Sequence, residues 1–220
     1  TGMWDYVKNS GNIDSECWDL DFLGFLPGKR ESRRYVGLTT VTQRDVEAGG
    51  NYPDVVAYAG WSMDDHFPEG FRYRDGHPTI YHPAPSPWGI PFRALVSKDM
   101  ENLLFAGRNI SVTHAALSSC RVMGTCAIGG QAFGTAAAQL IENGKTDIRE
   151  VDISALQETL LRDDCYLPGH RNADEKDLAR TATVTATTAR VGYEAEKVIS
   201  GVSRREGSET NAWRSEGLSA

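Results

Sequence analysis

The chain has few cysteines, and their spacing suits neither a metal site nor a disulfide framework. Cys17, Cys120, Cys126 and Cys165 are the only four in 220 residues, and no C-x-x-C pair occurs. This argues against structural zinc and against a small disulfide-stapled scaffold. Cys120 and Cys126 are interpreted as small buried thiols that fill a tight space rather than as redox groups.

An excess of basic charge and long apolar runs are lacking as well. Lys and Arg number 23 against 30 Asp and Glu, a formal net charge of −7, which argues against nucleic-acid binding because phosphates need basic partners. No stretch reaches the roughly 18 apolar residues of a membrane span. The closest, residues 124–141, is interrupted by Gln131 and Gln139. We expect a soluble protein. The sequence does not decide whether it is located in the cytoplasm, in the periplasm or outside the cell.

The most informative stretch is residues 101–144. Apolar residues 103–106 predict a short strand, Gly107 and Arg108 break it, and a helix rich in small residues is predicted from about 125 to 143. Such a strand, break and helix bring backbone N–H groups against a flat cofactor or a pyrophosphate. Three helix glycines remove side chains where a close approach is expected: Gly129, Gly130 and Gly134.

Short motifs in this stretch and upstream of it follow one collinear order over about residues 1–180. They are P-G-K-R-E-S-R-R-Y-V-G at 27–37, Asp64 with H-F-P at 66–68, I-P-F-R-A-L-V at 90–96, A-G-R at 106–108, T-H at 113–114, R-V-M at 121–123, T-C at 125–126 and G-Q-A-F-G-T-A-A at 130–137. Together they resemble the C-terminal part of bacterial FAD-dependent oxidoreductases, which are distantly related to the fumarate reductase and thioredoxin reductase flavoproteins.

One family feature does not occur in these residues. A complete enzyme of this kind opens with a strand, a G-x-G-x-x-G turn and a helix, followed about 20 residues later by an acidic residue that holds the ribose. The sequence contains no such fingerprint. We therefore expect the C-terminal part of a longer flavoprotein, without its AMP-binding half and inactive alone.

The resemblance implies an α/β fold, with part of an FAD-binding domain and a β-rich substrate or cap region. We expect the cap region in residues 1–100, the flavin-binding segment in 101–162, a linker in 163–180 and the start of a galactose-binding-like β-sandwich in 181–220. Local patterns predict further elements. They are helices at 4–8, 42–48 and 153–162, a helical turn at 193–199, strands at 20–26, 35–42, 55–59 and 181–188, and an extended proline-rich loop at 75–91.

The resemblance also implies which residues hold FAD. Gly107 and Arg108 would lie against the ribityl chain and pyrophosphate, where Arg108 can donate paired hydrogen bonds to a phosphate. The first helical turn, with Thr125, Cys126 and Gly129, would point N–H groups at the flavin pyrimidine edge. The plainer alternatives are a surface arginine at a strand end and a buried helix packed through small residues.

Two residues are predicted to act beside the flavin. His114 can pass a proton to or from a substrate, or else bond a loop carbonyl, and Arg121 can anchor a carboxylate or hold the flavin O2. Arg93 and His66 are predicted on the substrate side. Asp64, Asp65 and His66 are adjacent in sequence, so they cannot surround a metal ion without a fourth group, and no metal site is predicted.

The predicted reaction is hydride transfer between a small organic substrate and flavin N5, with carbohydrate-related compounds as one substrate class. The alternative is a non-catalytic binding or assembly unit whose C-terminal module binds carbohydrate. If half of the cofactor cradle is missing, its apolar docking surface is exposed, which predicts a homo-oligomer through that surface.

Overall fold

The computed structural model describes residues 2–26 and 31–217, which divide into two compact units, Thr1–Ser32 and Arg33–Ala220. Residues 27–30 of the first sequence motif and residues 218–220 of the predicted tail lie outside the described residues. In its described part the first unit contains one helix, α1 (Gly2–Asn9), as expected for residues 4–8. Lys8 Nζ donates hydrogen bonds to the carbonyl oxygens of Ser15 and Trp18, each at 2.9 Å, which folds the following chain back onto the helix.

The strand predicted at residues 20–26 does not form. These residues pair with no strand, and the side chains of Phe22, Phe25 and Leu26 are largely exposed. The alternating apolar pattern suggested a strand, but a strand is stable only when another strand satisfies its backbone groups.

Of the elements in the described residues, the second unit contains the remaining helices and all four strands. The elements are α2 (Gln43–Glu47), β1 (Val55–Ala59), β2 (Met63–His66), β3 (Thr79–His82), β4 (Trp88–Pro91), α3 (His114–Cys120), α4 (Met123–Glu142) and α5 (Ile153–Arg162). Short 3-10 turns lie at Gly70–Arg72, Phe92–Ala94, Ile148–Glu150, Leu178–Thr181 and Ala195–Ile199. The predicted helices at 42–48, 125–143 and 153–162 and the strand at 55–59 are therefore confirmed, with shifts of a few residues at their ends, and the helical turn predicted at 193–199 is the 3-10 turn Ala195–Ile199.

The strands form two antiparallel pairs, β1 with β4 and β2 with β3. The loop predicted at 75–91 therefore contains β3 and β4, and that expectation was wrong. Prolines favoured a loop, but Pro83, Pro85 and Pro87 lie between the two strands, where they interrupt no ladder. Gly50, at φ +60°, packs its backbone directly on Gly89 of β4, where a Cβ would meet backbone atoms closer than 3 Å.

Three other strand predictions fail in whole or in part. Residues 103–106 contribute only a single bridge between Leu104 and Val96, and residues 35–42 contribute two, from Gly37 and Val41. Residues 181–188 form no strand, and the only bridge in the described tail joins Glu206 and Glu209. β-branched residues supply propensity, but these segments lack a neighbouring strand along their full length. The β-sandwich tail stays a prediction.

The core lies between β1, β4, the inner face of α4 and α5. Trp88, Val56 and Leu156 are fully buried in it. α5 is fastened to the start of β1 by Gln157, whose side-chain amide donates to the carbonyl oxygens of Pro53 and Val55 at 3.0 and 2.9 Å. Helices and antiparallel strands thus share one core, which confirms the predicted mixed α/β fold.

None of the helices in the described ranges is both long enough and apolar enough to cross a bilayer.

Candidate active site

Five polar residues meet where α3 packs on β2, and we name them the Asp–His cluster: Asp64, Asp65, His66, His114 and Arg121. Three come from the end of β2, one is the first residue of α3, and one is the residue that ends α3. Three of the five, His66, His114 and Arg121, were predicted from sequence as site residues. The structure brings these three together.

Two adjacent aspartates of β2 bind the two ends of α3. Nε2 of His114 lies 2.7 Å from Oδ1 of Asp65. Nη2 of Arg121 donates to the main-chain oxygen of Asp64 at 2.9 Å and lies 3.5 Å from Oδ2 of the same residue. His114 and Arg121 are seven positions apart, about two helical turns, so they lie on the same face of α3.

His66 extends the cluster along the β2–β3 hairpin. Its Nδ1 lies 2.9 Å from Oγ1 of Thr79, the residue directly opposite on β3, and its Nε2 lies 3.6 Å from Oδ1 of Asp64. That Asp64 oxygen is buried and lacks a hydrogen-bond partner within the described residues. It is therefore an acceptor that a small movement of His66, or a ligand hydroxyl, could satisfy.

The local sequence explains why α3 begins where it does. Thr113 adopts an extended conformation as the N-cap, and its Oγ1 accepts a hydrogen bond from the N–H of Ala116 at 3.4 Å. The helix therefore starts at His114 and fixes the backbone of that residue. Ser119, on the buried side of α3, accepts a hydrogen bond from the indole N–H of Trp88 at 2.9 Å, which ties the helix to the core.

The predicted cofactor residues lie around the start of α4. Gly107 has φ +104°, a conformation that favours glycine, and Arg108 is exposed. Burial raises the pKa of the Cys126 thiol, and the positive charge of Arg108 acts against that rise. Val122, the N-cap, supplies no side-chain hydrogen bond to the first N–H groups of the helix.

Thr125 and Gly129 lie on the buried face of α4. The side chain of Thr125 therefore points into the protein, and what this residue can offer a cofactor is its backbone N–H in the first helical turn. A Cβ built at Gly129 would meet nothing within 4 Å, and the same is true of the other three α4 glycines, Gly124, Gly130 and Gly134. The α4 glycines are thus not required by packing within the described chain.

Arg93 belongs to a different arrangement from the Asp–His cluster. Its Nε and Nη2 bind the two carboxylate oxygens of Asp54 at 3.0 and 3.1 Å, and its backbone N–H donates to Oδ2 of the same residue at 3.0 Å. Asp54 is almost completely buried at the start of β1. The pairing, first through its hydrogen bonds, raises the pKa of Arg93. This contact alone accounts for an arginine at position 93.

The sequence did not reveal the roles of Asp64 and Asp65 as partners of Arg121 and His114. The available signal was a pair of cationic or titratable residues seven positions apart on one helix and two adjacent carboxylates on a strand. Matching them requires knowing that α3 packs on β2, which local patterns do not provide. Within the described residues, no group of three or more His, Cys, Asp or Glu side chains is arranged to hold a metal ion.

Comparison with known proteins identifies the family. A profile described as FAD dependent oxidoreductase matches residues 1–160, which cover α1 to α4 and most of α5. The chain belongs to the FAD-dependent oxidoreductase family, whose cofactor is FAD. Searches of curated proteins and of solved structures each returned no match.

Proposed function

We propose that this chain forms the flavin-facing and substrate-facing part of an oxidoreductase that moves a hydride between a small organic substrate and FAD. The observation that supports it most is the Asp–His cluster, which gathers a proton-transferring histidine and a charge-balanced arginine on the element just before α4. Bound FAD would supply a hydride acceptor or donor at N5. The protein residues bind, orient and move protons.

The residues around α4 fit this cofactor. Arg108 supplies a positive charge that acts on Cys126 in the first turn, Gly107 allows a close backbone approach, and Val122 leaves the first N–H groups of the helix without a side-chain cap. Positive charge and helix N–H donors together suit a phosphate or an electron-rich ring edge. Gly129 leaves open space beside the helix. We propose that Gly107, Arg108 and the backbone of Thr125, Cys126 and Gly129 contact FAD.

His114 is the proposed acid or base. When a hydride leaves a carbon that bears a hydroxyl group, the hydroxyl proton must leave as well, and the product is a carbonyl compound. A histidine beside that oxygen can accept the proton, and it returns the proton in the reverse direction. His66 would contact the substrate from the hairpin side, and Arg121 would remain bound to Asp64.

The charge balance of the cluster supports a neutral, hydroxylated substrate. Arg121 is mostly buried and its charge is balanced by Asp64, so it is a poor anchor for a second carboxylate. Asp64 instead places beside His66 an oxygen, Oδ1, that lacks a hydrogen-bond partner within the described residues. A hydroxyl group of a carbohydrate-related alcohol matches this acceptor, and we propose such alcohols as the substrate class.

The outer face of α4 supports the proposal that part of the FAD cradle is supplied by residues beyond these 220. Met123 and Ile141 at its two ends are 89 % and 77 % exposed. Most of the exposed residues between them are small, namely Gly124, Ala127, Gly134 and Ala138, and Gln131 is the one long polar side chain among them. A helix this apolar on its outer side normally packs against other protein. In their absence we expect this face to drive homo-oligomerisation, and only monomer in light scattering at micromolar concentration would contradict that.

The decisive experiment is FAD titration, followed by flavin fluorescence and absorbance. It compares this chain with the same chain extended by its natural upstream residues. Binding by the extended chain alone supports the proposed split cradle, and reduction of the bound flavin by polyols then tests the substrate class. If neither protein binds FAD, the proposed function is wrong.

A further inference from the structure

The carboxylate of Asp65 has a single hydrogen-bond partner among the residues that the structure describes, and that partner is His114. The neighbouring Asp64 makes its contacts with Arg121 and His66 instead. The two aspartates therefore contact different residues although they are adjacent in sequence. Removing one should leave the contacts of the other in place.

The chemistry of this pair fixes the position of a proton. An ionised carboxylate can only accept hydrogen bonds, so at 2.7 Å the Nε2 atom of His114 must be the donor. In a neutral imidazole one nitrogen carries the proton and the other carries the lone pair. The lone pair of neutral His114 therefore lies on Nδ1.

We infer that Asp65 is a positioning residue that holds His114 in the Nε2-protonated tautomer and makes Nδ1 the atom that exchanges a proton with the substrate. The inference rests on the proposed function for the identity of the proton's partner. Asp65 itself does not touch the substrate or the flavin. It acts through His114 alone.

Both members of the pair stand on regular structure, which gives the contact a defined geometry. Asp65 lies opposite Ile80 in the β2–β3 hairpin, and His114 begins a helix whose start is fixed by Thr113. The next residue along β2, His66, is bound to Thr79 of the other strand. Rigid elements hold an orienting contact more precisely than loops do.

The test is the tautomer of His114 in this 220-residue chain, read from ring nitrogen chemical shifts of protein labelled with 15N-histidine. Spectra are recorded at alkaline pH, where the imidazoles are neutral. His114→Gln assigns the signal among the five histidines. Asp65→Ala removes the carboxylate, Asp65→Glu retains it on a longer side chain, and Asp75→Ala removes a matched exposed charge from a loop.

We expect a single Nε2-protonated tautomer in the unmodified chain and in Asp75→Ala, a mixture in Asp65→Ala, and partial recovery in Asp65→Glu. A mixture in the unmodified chain would overturn the inference, and this spectrum needs no variant to fold. An unchanged spectrum in a folded Asp65→Ala protein would overturn it as well.

FAD titration of the extended chain separates this inference from the proposed function. Asp65→Ala should bind FAD as tightly as the unmodified protein, because Asp65 is not proposed to contact the cofactor. A tautomer effect without any FAD binding would leave the Asp65–His114 assignment intact and refute the oxidoreductase proposal. FAD binding without a tautomer effect would refute the Asp65–His114 assignment and leave the oxidoreductase proposal intact.

Discussion

The Nε2 atom of His114 and the Oδ1 atom of Asp65 lie 2.7 Å apart although the two residues are separated by 49 positions. Together with the contact between Arg121 and Asp64, this attaches both ends of α3 to adjacent residues of β2. The helix and the hairpin therefore hold each other in position, and both contacts involve residues of the proposed active site.

Replacing Arg121 with methionine should destabilise the chain, because the main-chain oxygen and the carboxylate of Asp64 lose their charged partner. A hydrogen bond to a charged group contributes about 1.5–3 kcal/mol to stability. The loss is measured by urea denaturation, with Arg74→Met, on an exposed loop residue, as the control. Equal unfolding midpoints for the two variants would contradict a structural role for Arg121.

Replacing Asp54 with asparagine should also destabilise the chain, by about 1.5–3 kcal/mol, because three N–H groups of Arg93 lose a charged acceptor. Arg93→Met should cause a similar loss. Denaturation of both variants and of the double variant measures the coupling between the residues. Normal stability in Arg93→Met, combined with weakened substrate binding, would instead assign Arg93 to the substrate site.

Replacing Gly129 with alanine separates packing from cofactor binding. A Cβ at this helical position meets nothing within 4 Å, so alanine should stabilise the chain by about 0.5–1 kcal/mol through its higher helix propensity. In the extended chain the same methyl group should weaken FAD binding. Gly134→Ala, farther along α4, should increase stability by a similar amount without weakening FAD binding. Equal FAD affinity in both variants would place the cofactor away from Gly129.

The free energy of unfolding should decrease at acidic pH, in part because the carboxylate of Asp45 becomes protonated. Burial alone would raise the pKa of Asp45, but hydrogen bonds from Thr42 and Tyr52 outweigh it and hold the pKa below its ordinary value. The carboxylate therefore stabilises the fold above about pH 4, the ordinary aspartate pKa, and this contribution disappears as the pH falls through the lower pKa of the folded state.

Asp45→Asn tests that contribution. At pH 7 it should be less stable than the unmodified chain by about 1 kcal/mol, because the carboxylate accepts hydrogen bonds from both the N–H and the hydroxyl of Thr42 at the start of α2. The difference should shrink as the pH drops below about 4. A difference that is constant from pH 7 to pH 2.5 would show that ionisation of Asp45 does not matter.

The cysteines should differ strongly in reactivity. Burial, with a smaller effect of neighbouring Cys126, raises the pKa of the Cys120 thiol to about 12, whereas Cys17 is exposed. Because the thiolate is the reactive form, iodoacetamide at pH 8 should modify Cys120 at least about a hundredfold more slowly than Cys17. Mass spectrometry follows each site, and denaturation in urea should abolish the difference. Rapid modification of Cys120 in the folded chain would contradict the interpretation of a buried, inert thiol.

Local patterns predicted the helices well and the strands poorly. The buried run at 55–59 and the helices at 42–48, 125–143 and 153–162 each carry a signal within a few consecutive residues. β3 and β4 lie in a proline-rich stretch and exist because other segments pair with them. Conversely, residues 20–26 and 181–188 have strand-like sequences and no partner. Pairing between distant segments is not encoded in a local pattern.

Some residues of the candidate site were likewise predicted from the sequence, whereas others were identified only from the structure. His114, Arg121 and His66 were identified because their residue types and motifs suit chemistry beside a flavin. Asp65 was considered only as a metal ligand beside Asp64 and His66, and it was set aside because three adjacent residues cannot surround one ion without a fourth group. Its significance depends on the packing of α3 against β2, and only the structure supplies that relationship.

Gln157 sets a limit on how far the protein can be shortened from its C-terminus. Its amide satisfies two main-chain oxygens beside the first strand, about a hundred positions earlier in the chain. A ribosome must therefore extend the chain by about a hundred residues past that strand before the strand has its full set of bonds. Truncated chains that stop before position 157 should have an incompletely folded core. Truncated chains that retain Gln157 should lack only the segments that follow it.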